Sequence, residues 1–165
     1  MISANKLNRA LRLLLLVLLV LLVALAIFVV STNGQTNPPA SAQQIAAPVF
    51  DNYRGAQIGM NMTDVRQKLG QPSETAAQQD LYFFSETESA QIYYDAAHKV
   101  KAISINYTGD GAPAVQRVLG TDVAAGPDGS LFKLVSYPQA GFWVAYSRSA
   151  GPAPVVTITL QRIVQ

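Results

Sequence analysis

The chain has 165 residues, 50% of them apolar, a formal charge of +2 and no cysteine. Its basicity belongs to one end: residues 1–30 carry Lys6, Arg9 and Arg12 with no acidic residue, leaving 9 (12 − 3) Lys/Arg against 10 Asp/Glu after them. A near-neutral folded part speaks against a nucleic-acid binder, which needs a basic patch. The lack of cysteine excludes disulfides and a lipid-bearing thiol.

In chain order, residues 1–12 form a basic segment, and Leu13 to Val30 is an unbroken apolar run. At 1.5 Å per residue that run is roughly 27 Å long as a helix, close to the thickness of a hydrocarbon core. It is longer than an ordinary signal-peptide core. We therefore read residues 13–30 as a transmembrane signal anchor. Cleavage near Ala42, after Ala40-Ser41, is the alternative. Positive charges precede the run and almost none follow until Arg54, which places the N-terminus in the cytoplasm and the remainder outside. Residues 31–50, rich in Ser, Thr, Asn, Gln, Ala and Pro, read as a flexible linker.

The stretch Ile58 to Pro72 carries helix punctuation. Asn61 is placed to cap the helix, and Met60 and Val65 have the spacing of a hydrophobic staple. Met62, Val65 and Leu69 form one apolar stripe, with Arg66, Gln67 and Lys68 expected to face water. Gly70 and Pro72 stop the helix. Strands are expected at 81–85, 90–95 and 100–107, the last two joined by a hairpin loop at 96–99. Pairing Asp95 with Val100 sets Ile92 opposite Ile103 and Tyr94 opposite Lys101.

The pattern then recurs. VRQKLG at 65–70 matches VQRVLG at 115–120, and strands at 82–84 and 92–94 match segments 50 residues later. VKAISI at 100–105 matches VVTITL at 155–160, with an offset of 55. Two helix–strand–strand–strand units, residues 51–109 and 110–165, are expected to join their strands into one sheet that hides both apolar faces.

The motif GMNMTDVRQKLGQP, followed by an aromatic strand and a hairpin turned at DAAHKV, resembles the small protein A / outer-membrane lipoprotein A family, which includes the small lipoprotein subunit of the outer-membrane β-barrel assembly machinery. The tandem arrangement resembles β-lactamase inhibitory protein, in which two such units build one curved sheet with helices on one side. The resemblance covers residues 55–107 well and 113–162 weakly. Its motif is a structural signature without a catalytic residue. A membrane helix stands where that family has a lipid-bearing cysteine, so a role in barrel assembly does not carry over.

Chemistry is sparse. His98 is the only histidine, which leaves no Ser/His triad and no nitrogen–sulfur zinc cluster. Glu86 and Glu88 fall in SETES and read as a polar loop. No phosphate-binding glycine motif is present, and we expect no catalytic residue, metal or cofactor. What remains is a surface. Ile92, Tyr94, Ile103, Ile105 and Tyr107, with Phe142, Val144, Val156, Ile158 and Leu160, are expected under the helices. Tyr93 and Trp143, with Phe83 and Lys133 beside them, are expected on the open face, where large aromatics can bind a partner.

The sequence thus predicts an α+β fold: an N-terminal transmembrane helix, then two repeats forming one antiparallel sheet with helices on one face. The function it predicts is a non-enzymatic, extracytoplasmic protein-binding module of the cell envelope. The alternatives are a structural subunit of a membrane complex or, after cleavage, a secreted inhibitor-like protein.

Overall fold

A computed structural model describes residues 47–164. The expected anchor at 13–30 and most of the 31–50 linker lie outside the described residues, and no helix among those described is long and apolar enough to cross a membrane. What is described is a mostly-β domain.

After a short hairpin of β1 (Asn52–Tyr53) and β2 (Ala56–Gln57) come α1 (Met62–Leu69), β3 (Glu74–Ala76), β4 (Gln79–Phe83), β5 (Glu88–Tyr94) and β6 (Val100–Thr108). The second half runs α2 (Val115–Leu119), β7 (Leu131–Tyr137), a 3-10 turn at Pro138–Ala140, β8 (Phe142–Arg148) and β9 (Val155–Arg162). Seven strands form one antiparallel sheet in the order β3-β4-β5-β6-β9-β8-β7. The balance departs from the expected α+β fold, since the helices span only eight and five residues. β3 is an added edge strand that the sequence reading did not contain.

β6 and β9 meet at the centre, with Ile103 opposite Leu160 and Ile105 opposite Ile158. Directly opposed side chains share a face, and alternate residues along a strand take opposite faces. Ile92, Ile103, Leu160 and Val144 therefore fall in one cross-strand row, and Ala90, Ile105, Ile158 and Tyr146 in the next. All but Tyr146 are completely buried, and Tyr146 is nearly so. Val65 of α1 and Val118 and Leu119 of α2 belong to the same core, so both helices cover this face. The inward residues expected from alternation are buried there, Tyr107 only partly.

Three local expectations change. The main-chain carbonyl of Asn61 accepts the first helical bond from Val65 N at 3.0 Å, but its side chain makes no capping bond. Asp95 accepts the N–H groups of Ala97 and Lys99, both at 2.9 Å, and draws the hairpin loop in. The register shifts there, so Tyr94 faces Val100 and not Lys101. This places Val100, fully buried, under the helices beside Tyr94. His98 takes a positive φ of 56° in the same loop and is exposed.

The third change concerns Arg66. It reaches from α1 to Asp80 at the start of β4 in a two-pronged ion pair, 2.9 Å from Nε and 2.7 Å from Nη2. Asp80 is completely buried and also accepts the Tyr94 hydroxyl at 2.9 Å. Three donors replace the water that the carboxylate loses, and they clamp the helix to the sheet. Burial, together with the bond to Asp80, drives the Tyr94 hydroxyl far above its ordinary pKa, so it serves as a donor at all ordinary pH values. Removing one partner of a buried pair strands the other. Arg66→Ala should therefore lower unfolding free energy by about 3 kcal/mol, read as a shift in the urea midpoint followed by Trp143, the only tryptophan.

Candidate functional site

The face away from the helices is built of three cross-strand rows on β4, β5, β6, β9, β8 and β7. The first reads Gln79, Tyr93, Ala102, Gln161, Trp143, Ser136. The second reads Leu81, Gln91, Ser104, Thr159, Ala145, Leu134, and the third Phe83, Ser89, Asn106, Thr157, Ser147, Phe132. None of the three rows contains Asp, Glu, Lys or Arg. The nearest charge in register is Glu74, on the short edge strand β3 opposite Leu81.

Three of the four expected residues share this face. Tyr93 and Trp143 stand in one row with two strands between them, about 14 Å apart along the sheet. Phe83 closes the third row at one end and is 54% exposed. Lys133 does not join them. At an offset of 50, Phe83 opposite Ser89 would become Lys133 opposite Gln139, but Lys133 lies opposite Tyr146, seven residues on. An odd shift turns a strand over, so Lys133 points to the helix-covered side and its neighbours take its place. Phe132 is 65% exposed and Leu134 42%. Sequence reasoning missed these two because LFKLVSY carries apolar residues at both parities.

The middle of the face is quieter. Leu81, Gln91, Ser104 and Ala145 of the second row are buried although no helix among the described residues covers them. Tyr93 donates its hydroxyl to Oε1 of Gln91, and Thr157 donates to Oδ1 of Asn106 at 2.8 Å. Burial raises the Tyr93 hydroxyl above its ordinary value. The surface is therefore one of amides, hydroxyls and neutral rings. It offers stacking and neutral hydrogen bonds, and no general acid, base or nucleophile with an activating partner.

Charges collect on the other side and at the sheet ends. Glu88 is the first residue of β5, and it is not a loop residue as expected. It accepts Arg54 Nη2 at 2.8 Å and the Tyr53 hydroxyl at 2.7 Å. The Arg54 guanidinium lies 4.2 Å from the Phe84 ring centre, which ties the β1–β2 hairpin to the sheet. Asp95 pairs with Arg162 at 2.7 Å. Among the described residues, no three His, Cys, Asp or Glu side chains converge as a metal site. A depression lined by Asp51, Gln57, Ile58, Ala140 and Phe142 adjoins the helix-covered face, away from the exposed rings.

Comparison with protein-family models, curated proteins and solved structures finds no match to this chain. The site's chemistry thus comes from its own geometry.

One consequence is measurable as pH dependence. Burial opposes ionisation of Glu88, but the hydrogen bonds from Arg54 and Tyr53 outweigh it and hold the carboxyl below its usual range. A carboxylate depressed in the fold adds stability above its unfolded pKa, about 4.3, and that stability is lost as pH falls through the folded value. Urea midpoints should fall with acidification below about pH 5, and less steeply for Glu88→Gln over the same window.

Proposed function

We propose that this chain is a membrane-anchored, extracytoplasmic binding module, without catalytic activity, that holds an uncharged surface of an envelope protein against its open sheet face. The supporting observation is the composition of that face: three rows across six strands without a charge, while Phe83 and Phe132 protrude at opposite ends. Charged side chains on a surface hold their water most tightly, whereas neutral rings give it up readily and amides do so when a partner replaces the hydrogen bonds. Tyr93 and Trp143 supply rigid aromatic area between the two phenylalanines, and such residues carry most binding energy in protein interfaces.

The rest of the reading follows the sequence. The run at 13–30 is the anchor and residues 31–50 the tether, and a helix followed by antiparallel strands in each half, four in the first and three in the second, supports the reading of two units joined in one sheet. The resemblance to the small protein A family and to β-lactamase inhibitory protein points the same way, toward a scaffold whose business is contact with another protein. Lys133 has no part in the binding face.

Trp143→Ala and Phe83→Ala should each weaken partner capture from solubilised envelopes. A well-buried anchor at the interface is worth about 2 kcal/mol, roughly thirtyfold in affinity. Arg117→Ala, on the exposed side of α2, should leave capture unchanged. Equal capture by the Trp143 and Phe83 variants would rule out the open face.

A further inference from the structure

We propose that the free edge of β7 is a dimerisation seam, where a second copy of the chain pairs antiparallel with the two-fold axis at Leu134. The two edges of the sheet differ in kind. Each carries one charge, but the β3 edge is only three residues long and follows Pro72 closely, devices that discourage further pairing. The β7 edge is seven residues long, has no proline, no register shift and one charge, and no strand flanks its outer side among the described residues. An edge of that length and composition is a template for another strand.

Backbone direction fixes which residues are available. The β8–β9 ladder is bracketed by bonds from Ser149 N to Val155 O at 2.9 Å and from Ile163 N to Gly141 O at 2.8 Å. Counting in twos between them, the odd residues of β8 bond to β9 and the even ones to β7. Their partners on β7, Leu131, Lys133, Val135 and Tyr137, thus direct their backbone groups inward. Phe132, Leu134 and Ser136 direct N–H and C=O outward.

Three symmetric registers keep the open faces on one side and leave most of the strand paired. Centred on Lys133, pairing sets two ammonium groups face to face. Centred on Val135, it sets Phe132 against Pro138, which has no N–H to donate. Centred on Leu134, every outward residue of the strand gains a partner: Leu134 meets its own copy, and Phe132 meets Ser136 of the second copy. Lys133 then lies opposite an uncharged valine. Charge and hydrogen bonding select this register together, and the seam covers Leu134, which is 42% exposed in the single chain. The two open faces become continuous across it. The inference is separate from partner binding, which a single chain can perform.

The test uses the full chain in detergent micelles, with mass read by sedimentation equilibrium. The wild-type chain should be a dimer. Leu134→Lys and Leu134→Glu should each raise the dissociation constant at least about tenfold, by setting like charges on the axis, and an equimolar mixture of the two should restore the dimer. Leu134→Pro removes an outward N–H and no β7–β8 bond, so it should give a monomer with the wild-type circular dichroism spectrum. A monomeric wild-type chain, a Leu134→Lys variant as dimeric as wild type, or a mixture of the two charged variants that stays monomeric would each overturn the proposal.

Discussion

The placement of every surface residue depends on one constraint, the antiparallel ladder between β6 and β9. It sets Ile105 opposite Ile158 and Ile103 opposite Leu160 at the centre of the sheet. Because side chains alternate, burying those four on one side commits Ser104, Asn106, Thr157 and Thr159 to the other. A slip of one residue would send four large apolar side chains into water. At about 1.5–3 kcal/mol for each buried Ile or Leu, that loss rivals the stability of a whole domain. The open face is thus fixed by what the closed face cannot give up.

The closed face is held by packing and by one buried charge. Val65, Val118 and Leu119 supply the helices' apolar contribution, and Arg66 locks α1 to Asp80. The arrangement divides labour by charge. Ion pairs such as Arg54–Glu88 and Arg162–Asp95 gather at the sheet ends, while the three open rows stay neutral. That neutrality accords with a chain in which only 13% of the residues are charged. It follows from strand residues chosen among Ser, Thr, Asn, Gln and aromatics, which tolerate exposure yet give up water to a partner.

Much of this was legible in the sequence where alternation was clean. VKAISINY and AQIYYD show period-2 patterns, and the Ile92–Ile103 pairing follows from them directly. Helix α1 was legible from its stripe and its stop at Gly70. The misses have physical reasons. In LFKLVSY an edge strand exposes apolar side chains on its open face, so the pattern loses its contrast and does not show that Lys133 faces the helix-covered side. β3 is too short to show any period. The Arg66–Asp80 pair joins residues 14 apart, beyond the reach of helix spacing rules, so Arg66 read as solvated. The bulge at Tyr94 came from the Asp95 side chain folding its own loop.

The central claim is that the open face, and not the helix side, meets the partner. The most direct measurement places a photo-crosslinking amino acid at Trp143 and, in a second strain, at Arg117 of α2, with irradiation of intact cells. The account predicts a heavier adduct with a different protein from Trp143 and none from Arg117. An adduct from Arg117 with none from Trp143 would contradict it.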